Sequence, residues 1–440
     1  MKALFAIRSL FRQNAPPGLG RSRWMTLFAF LLTLSASAQE ALKNSLTGEA
    51  AAAQRSQQMQ NQNYTFKYGD FRMLITPSLS AEWNDNVNLS RTDPMDDYIL
   101  TPRVGIMSNY PLTQRNVLFL NFSIGYREYL EHSDLSTLDL DSSSQTGLSF
   151  DIGVKNFTFN LHDQVSYVQD SAQSATVANT ANYGTFQNTA GLSGTWDLNQ
   201  VTLSAGYDHQ NVLSTRSQFD DISRAAEMFF ARAGFKVHPK VTVGLESTAS
   251  FTTYEQAVLN NNDAYTVGPY AEFRPGHYFT VTVRGGYSIY QFQQTSAFLQ
   301  TSSQNSWYAD VNISHQITDF ISYALDAGHE ERLGTQSGLG EQSDLTEDWY
   351  VRPHILWKFI RGLDINTGFF YEHGQQGVGN VLGNFSETYD WYGGDLTIEH
   401  ALTSRLTLGL NYRLTVRSSD LASDEYTQNL VGLQLTYQTK

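Results

Sequence analysis

The sequence contains no cysteine, which excludes disulfide bonds and the lipid-modified N-terminal cysteine of a lipoprotein. Charged residues are also scarce, at 16% of the 440 residues, and the mean hydropathy is −0.35. Outside the alternating pattern described below, the one apolar run is Trp24 to Leu34, which is too short to cross a bilayer as a helix. The composition therefore excludes a helical membrane protein.

That apolar run lies at the centre of a predicted secretory signal peptide, residues 1–38. It is preceded by five basic residues and followed by the small-x-small site Ala36-Ser37-Ala38, after which we expect cleavage. Cleavage leaves 24 Lys and Arg against 43 Asp and Glu, a net charge of −19. So acidic a chain does not complement the charge of nucleic acid, and we expect no nucleic-acid partner.

Residues 39–69 are rich in Gln, Ala, Asn and Ser and contain few large apolar side chains. Such a composition cannot bury enough apolar surface to fold by itself, which predicts a flexible periplasmic tail. A segment that docks on a partner is the alternative interpretation.

From Phe71 onward, apolar and polar residues alternate with a period of two. In the stretch 406–417 the apolar series is Leu406, Leu408, Leu410, Tyr412, Leu414 and Val416. The residues between them are Thr407, Gly409, Asn411, Arg413, Thr415 and Arg417. This pattern predicts strands with one apolar and one polar face. A soluble sandwich would share it in any single strand, but its recurrence along the chain predicts a closed barrel whose apolar face meets lipid.

Turn signals divide this region into hairpins joined by two kinds of connection. Eight connections are short and nine are longer and polar, and the two kinds alternate along the chain. The alternation predicts an all-β fold over residues 70–440, a transmembrane antiparallel up-and-down β-barrel of about 18 strands. An even strand number places both termini on the periplasmic side of the outer membrane of a Gram-negative cell.

Aromatic residues gather near the predicted strand ends, as in the two interfacial belts of membrane barrels. Beside the short turns these are Phe157, Trp196, Phe235, Phe273, Phe320 and Trp357. Towards the long loops they are Trp307, Trp349, Tyr389 and Tyr412.

The polar face carries charges and tyrosines that we expect to line the lumen. The candidates are Arg127, Tyr129, Asp208, Arg232, Glu272, Arg284, Tyr290, Tyr308, Asp310, Arg352 and Arg413. Since dry burial of so many charges would be costly, they predict a water-filled interior. The inward rings could stack on sugars, or they could fill space beside small Gly and Ser neighbours.

No residue pattern indicates an enzyme, a metal or a cofactor. His329-Glu330-Glu331 and His354 lack a metal-binding motif around them. His162 and Ser166 share a strand face, as a barrel hydrolase of the outer-membrane phospholipase type would need, but nothing marks a nucleophile. The cluster at 260–263, Asn-Asn-Asn-Asp, is better explained as a solvated loop tip than as a calcium site.

The first hairpin carries a recognisable motif. Trp83-Asn84-Asp85-Asn86 and the later stretch from Asp97 to Pro102 resemble the opening of the β-barrel porin 2 family, in which Asn84, Asp85, Asn86 and Pro102 are the matching positions. That family includes outer-membrane barrels encoded with exopolysaccharide biosynthesis genes. From the residues alone, Asp85 and Asn86 are expected to cap a strand and shape the first external loop. The tail Gly432, Leu435 and Tyr437 also resembles the insertion signal of outer-membrane barrels.

The resemblance implies a water-filled passage, most of all for exopolysaccharide export. The alternatives are a general diffusion porin for small solutes, or a structural or adhesive barrel. The expected partners are outer-membrane lipid and lipopolysaccharide, the barrel-assembly machinery, and polysaccharide together with periplasmic export components.

Overall fold

The structure is a computed structural model that describes residues 64–140, 147–168, 171–181, 183–297, 299–336, 342–377, 380–382 and 386–438. The predicted signal peptide and positions 39–63 of the predicted tail lie outside these residues. Within the described ranges, no helix is both long enough and apolar enough to span a membrane.

Eighteen long strands make up one antiparallel sheet in the described residues. The first nine are β1 Phe71–Asn84, β2 Asp97–Pro111, β3 Asn116–Tyr129, β4 Gly147–Val154, β5 Phe157–Val168, β6 Thr185–Asp197, β7 Val201–Ser214, β8 Arg224–His238 and β9 Val241–Tyr254. The others are β10 Asn262–Gly276, β11 Phe279–Phe292, β12 Gln304–Gln316, β13 Ile321–Gln336, β14 Gln342–Ile360, β15 Leu363–Gln376, β16 Glu387–Ala401, β17 Leu406–Ser419 and β18 Tyr426–Tyr437.

Each strand pairs with its neighbours in sequence, and the last strand pairs with the first. The seam between β18 and β1 runs from Ser78 opposite Thr436 to Asn84 opposite Leu430. The sheet is therefore a closed barrel, and the predicted fold of about 18 strands is confirmed. The predicted alternation of eight short turns and nine longer connections also recurs in the strand order.

The hairpin of β13 and β14 has the two longest strands in the described structure. Its strands contain 16 and 19 residues, and five residues, 337–341, separate them. The pairing continues outward to Gln336 opposite Gln342. Polar residues in this region are part of the ladder, although their composition is typical of a loop.

The seam has an additional strand on the N-terminal side. Phe66–Tyr68, inside the predicted tail, pairs with the start of β1, with Phe66 opposite Met73. Ile75 N donates to Thr65 Oγ1 at 2.9 Å, and Pro77 has no N–H to satisfy. The part of β1 that extends past the end of β18 is thus covered by residues 65–68.

Shorter elements lie in the longer connections. They are the strand Thr137–Leu140 beside β3, the paired strands Gln300–Thr301 and Asn380–Leu382, and the 3₁₀ turns Ser133–Leu135, Ser171–Gln173, Ser217–Ile222 and Ala422–Asp424.

The outer face is apolar at mid-height and aromatic at both ends. Exposed apolar side chains include Leu79, Val104, Ile124, Leu161, Leu192, Leu245, Val283, Ile355, Phe369, Leu410 and Leu433. The aromatic residues predicted beside the short turns all lie on this face, as do Trp307, Trp349 and Tyr412 near the long loops. Tyr389 was predicted to join them but is buried inside the barrel, because it shares a strand face with the inward Trp391.

Candidate functional site

Three inward tyrosines lie along the wall of the barrel and reach carboxylates on other strands. Tyr308 donates from its hydroxyl to Glu246 at 3.2 Å, and Tyr350 donates to Asp310 at 3.0 Å. Tyr389 donates to Asp348 at 2.7 Å and to Glu372 at 3.2 Å. Each ring leans over at least one intervening strand to do so.

Glycines on the intervening strands make this arrangement possible. A Cβ on Gly268 would lie 2.6 Å from Tyr308 Oη, and a Cβ on Gly328 would lie 2.7 Å from Tyr350 Oη. Both distances are shorter than side chains tolerate, so these positions require glycine. The rings lie against the wall beside small neighbours, which favours space filling over sugar stacking among the two roles considered for them.

The same wall holds paired charges. Arg284 donates to Asp310 Oδ1 from Nη2 at 2.5 Å and from Nε at 3.0 Å. The guanidinium of Arg232 lies 3.7 Å from the centre of the Tyr270 ring. Charge-assisted hydrogen bonds and ring stacking offset part of the cost of taking these groups out of water.

A second network lies closer to the long loops, on β13 to β15. Arg332 is 2.7 Å from Asp348 and 2.7 Å from Glu372, and Arg352 is 3.2 Å from Glu372. Glu330 lies 3.8 Å from Arg332. Asp348, Glu372 and Glu330 have at most 1% of their side chains exposed. At this level the interior is packed rather than water-filled, because neighbouring strands supply the counter-charges that solvent would otherwise provide.

The remaining predicted lumen residues are spread over the inner wall. Arg127 lies 3.9 Å from Glu82, Asp208 lies 2.8 Å from His162, Glu272 lies 3.0 Å from Arg274, and Arg413 donates to Gln428 at 3.3 Å. Tyr129 and Tyr290 are buried in apolar clusters. The structure therefore brings Arg232, Arg284, Tyr308, Asp310 and Arg352 into one region and leaves the others apart.

Towards the short-turn end the inner face is less buried. Half-buried charged residues there are Asp326, Lys358, Asp364, Asp395, Glu399 and Arg413. The interior is thus more accessible to solvent from the short-turn end than from the long-loop end.

The segment 172–181, between β5 and β6, crosses the long-loop end of the barrel, which we call the mouth. Ala172, Ala175, Val177 and Ala178 are at most 2% exposed. The three alanines pack with residues that reach the mouth from other parts of the chain: Leu89, Tyr389, Trp391 and Tyr426. This segment is one of the nine connections that the sequence analysis predicts to be longer and polar, and its burial is a correction.

Three more connections fold into the mouth beside it. Phe219, Ile222, Tyr254, Leu259 and Leu299 form a buried cluster. Asn260, predicted to be at a solvated loop tip, is fully buried. Its backbone N–H and its Nδ2 each donate to a carboxylate oxygen of Asp344 at 2.7 Å, and Thr301 donates to the same group at 2.5 Å. Asp344 therefore ties two connections to β14.

The motif at the first hairpin joins the first strand of the barrel to the last. Asp85 accepts two hydrogen bonds from Asn429 of β18, and Asn86 Nδ2 donates to Thr427 O at 2.9 Å. Asn84 Oδ1 accepts from the backbone N–H of Asn86 at 3.0 Å. Pro102 lies opposite Leu79 on the outer face. The motif thus forms contacts across the seam. The sequence analysis, which considered only its own hairpin, did not predict these contacts.

The histidines His329 and His162, singled out in the sequence, are engaged in separate contacts. His329 lies on the outer face, stacked 4.1 Å from Trp307 and 2.7 Å from Glu347, whereas Glu330 faces inward. His162 is bonded to Asp208 and Asn160. Among the described residues, no group of three or more His, Cys, Asp or Glu is placed to hold a metal ion.

Sequence reasoning missed several inward residues, notably Arg332, Asp348, Glu372 and Glu387. The available signal was parity: Asp348 lies four residues before the named Arg352 on the same strand face. Following the alternation to the ends of the predicted strands would have identified them. For Arg417, in contrast, the sequence predicts the inward orientation but not the residue that it contacts.

No protein-family model matches the chain, and no curated protein matches it. The resemblance to the β-barrel porin 2 family is therefore not confirmed. Solved bacterial structures give distant likenesses. OccK2 (OpdF) of Pseudomonas aeruginosa, solved in complex with glucuronate, matches with a TM-score of 0.48 and 10% identity over 84% of this chain and 99% of that chain.

The outer membrane protein OpdK of Pseudomonas aeruginosa matches with a TM-score of 0.44 and 13% identity, over 83% of this chain and 99% of that one. OccAB3 of Acinetobacter baumannii matches with a TM-score of 0.45 and 10% identity, over 83% and 98% of the two chains. At these values the likeness decides nothing about what this barrel binds or transports.

Proposed function

We propose that this protein is an outer-membrane channel for small polar solutes, with both termini in the periplasm. One observation carries the proposal: the closed barrel is apolar outside and charged inside, the reverse of a soluble protein. Such a surface is stable when lipid surrounds it and polar groups face inward. The aromatic residues at both ends of the outer face fit the two headgroup levels.

The inner wall suits solutes that form several hydrogen bonds. Arginines, carboxylates and tyrosine hydroxyls alternate along it, and the cations described above have carboxylate or ring partners. Since the charges are largely paired, we expect weak discrimination between anions and cations. Small neutral or zwitterionic solutes would exchange hydrogen bonds with this wall at little cost.

The packed mouth disfavours export of a polysaccharide, which the sequence analysis ranked first. A polymer needs an opening that stays continuous across the barrel, and segment 172–181 occupies that path with nearly fully buried side chains. Uptake of small solutes requires a smaller opening. The same packing favours a structural barrel as the second candidate, because such a barrel needs no passage.

Conductance of the purified protein in planar bilayers tests the proposal. We expect stepwise conductance and swelling of proteoliposomes in small sugars, with slower swelling as the sugar becomes larger. A correctly folded barrel that conducts no ions and passes no sugar, even with segment 172–181 replaced by a Gly-Ser linker, would support the structural alternative.

A further inference from the structure

Arg417 lies on the inner face of β17 at the level of the mouth, and its side chain is fully buried. Its Nε donates to Ala175 O at 2.7 Å, and its Nη1 donates to Asp424 O at 2.9 Å. One guanidinium on the wall therefore bonds to two connections that enter the mouth from different hairpins.

The surroundings of Arg417 fix the orientation of the guanidinium. Glu387 Oε1 lies 2.6 Å from Nη1, and the Tyr389 ring centre lies 4.7 Å from Cζ. Glu387 itself accepts from Ser419 Oγ at 2.6 Å and from Gln376 Nε2 at 2.9 Å. A planar, delocalised cation held between a carboxylate and a ring presents its N–H groups in one direction, here towards the carbonyl of Ala175.

The bond to Ala175 spans the mouth. Segment 172–181 begins and ends at β5 and β6, and five strands separate β5 from β17 on the shorter way around the barrel. The far end of the segment bonds to other connections: Asn179 Nδ2 donates to Ser423 O at 2.6 Å, and Gln218 donates to Thr180 at 3.0 Å. Connections move more readily than a paired strand, so Arg417 is the rigid anchor among these contacts.

We propose that Arg417 positions segment 172–181 across the mouth and thereby sets the largest solute that the channel admits. The inference rests on the proposed channel function and adds to it a residue that determines size selectivity. Arg417 acts through the segment and needs no contact with the solute.

The test uses the double variant Arg417→Gln/Glu387→Gln, because removing the arginine alone would leave a buried carboxylate without its partner. The matched control is Arg103→Gln/Asp139→Asn. That pair is also an inward contact between an arginine and a carboxylate, but it lies between β2 and the strand Thr137–Leu140 and not against segment 172–181. Both double variants remove one positive and one negative charge. A difference in solute size limit between them is therefore due to where the contact lies and not to the loss of charge.

We expect the Arg417 variant to admit larger sugars in proteoliposome swelling than the wild type and the control do. Accessibility gives a second readout, since the chain has no cysteine and Ala175→Cys would be the single thiol. We expect this thiol to react with a maleimide at least about tenfold faster in the Arg417 background, since charge-assisted bonds that favour the closed segment are lost.

Unchanged size selectivity and unchanged thiol reactivity in the Arg417 variant would overturn the proposal. If the double variant does not fold, Arg417→Lys replaces it, because one ammonium cannot reproduce the fork of bonds to both carbonyls. Replacement of segment 172–181 by a Gly-Ser linker distinguishes failure of the Arg417 proposal from failure of the proposed channel function. If that protein conducts while the Arg417 variants behave as wild type, the role proposed for Arg417 is wrong and the proposed channel function is retained. If it does not conduct, the channel function itself fails.

Discussion

Asp85 and Asn429 are 344 residues apart and joined by two hydrogen bonds, from the backbone N–H of Asn429 to Oδ1 at 2.6 Å and from its Nδ2 to Oδ2 at 2.7 Å. The pair lies beside the last rung of the seam between β1 and β18. Gln428 Nε2 adds a bond to Asn86 O at 2.8 Å. The connection after the first strand therefore holds the final strand in register.

We expect Asp85→Ala to lower the free energy of unfolding by about 2 kcal/mol, because two bonds to a carboxylate are lost. Urea unfolding in lipid vesicles measures the change. Asp93→Ala, an exposed carboxylate in the same connection, is the control and should change stability by less than about 0.5 kcal/mol. Equal losses in the two variants would contradict a role for Asp85 at the seam.

Leu410→Arg tests which face of β17 meets lipid. Leu410 is 43% exposed on the outer face, and we expect the substitution to cost about 2–4 kcal/mol of stability in a bilayer. Asn411→Arg, one residue along and facing inward, should cost less than about 1 kcal/mol because the charge points away from lipid. A larger cost at Asn411 than at Leu410 would show that the faces are reversed.

Gly374→Ala tests the packing of tyrosines against glycines. A Cβ there would meet Asp348 Oδ1 at 2.5 Å and would also collide with the Tyr389 ring, so we expect a loss of about 1–3 kcal/mol. In a Tyr389→Ala background the loss should fall by about 1 kcal/mol or more, which a double-mutant cycle measures. Gly409→Ala is the control, since its Cβ would lie no closer than 3.7 Å to its neighbours. Independent effects of Gly374 and Tyr389 would count against the contact.

Single cysteines test the orientation of the barrel in the cell. Asp134→Cys lies in an exposed connection at the long-loop end, and Lys155→Cys lies in an exposed short turn. With an impermeant maleimide we expect Asp134→Cys to react in intact cells and Lys155→Cys to react once the outer membrane is permeabilised. Reaction of Lys155→Cys alone in intact cells would invert the proposed topology.

The sequence predicts strand number and connection type because both are recorded locally. In β17, Leu410 and Arg413 differ in parity, and that difference assigns each to a face without knowledge of any partner. Turn residues record the hairpins in the same way. These are properties of neighbouring residues, and closure of the ring follows once every strand must find two partners.

The packing of the mouth could not be predicted, because apolar side chains face inward there, whereas elsewhere in the barrel they face outward. Inside the barrel near segment 172–181, Tyr389 and Trp391 face inward against alanines, so an aromatic residue there looks like a member of the outer belt. The segment itself has the Ser, Ala, Thr and Asn composition of a solvated connection. In the structure it contacts Arg417, which lies 242 residues along the chain from Ala175, whose carbonyl it bonds.

Residues 65–68 cover the exposed part of β1, and this fixes where the preceding part of the chain joins the barrel. A strand that projects past its partner normally offers free donors on which another sheet can grow. Here Thr65 takes the donor of Ile75, and Pro77 has none to offer. The N-terminal side of the chain is also tethered at this one point of the circumference. A segment attached at Tyr64 would start from a fixed position beside the seam rather than sample the whole rim.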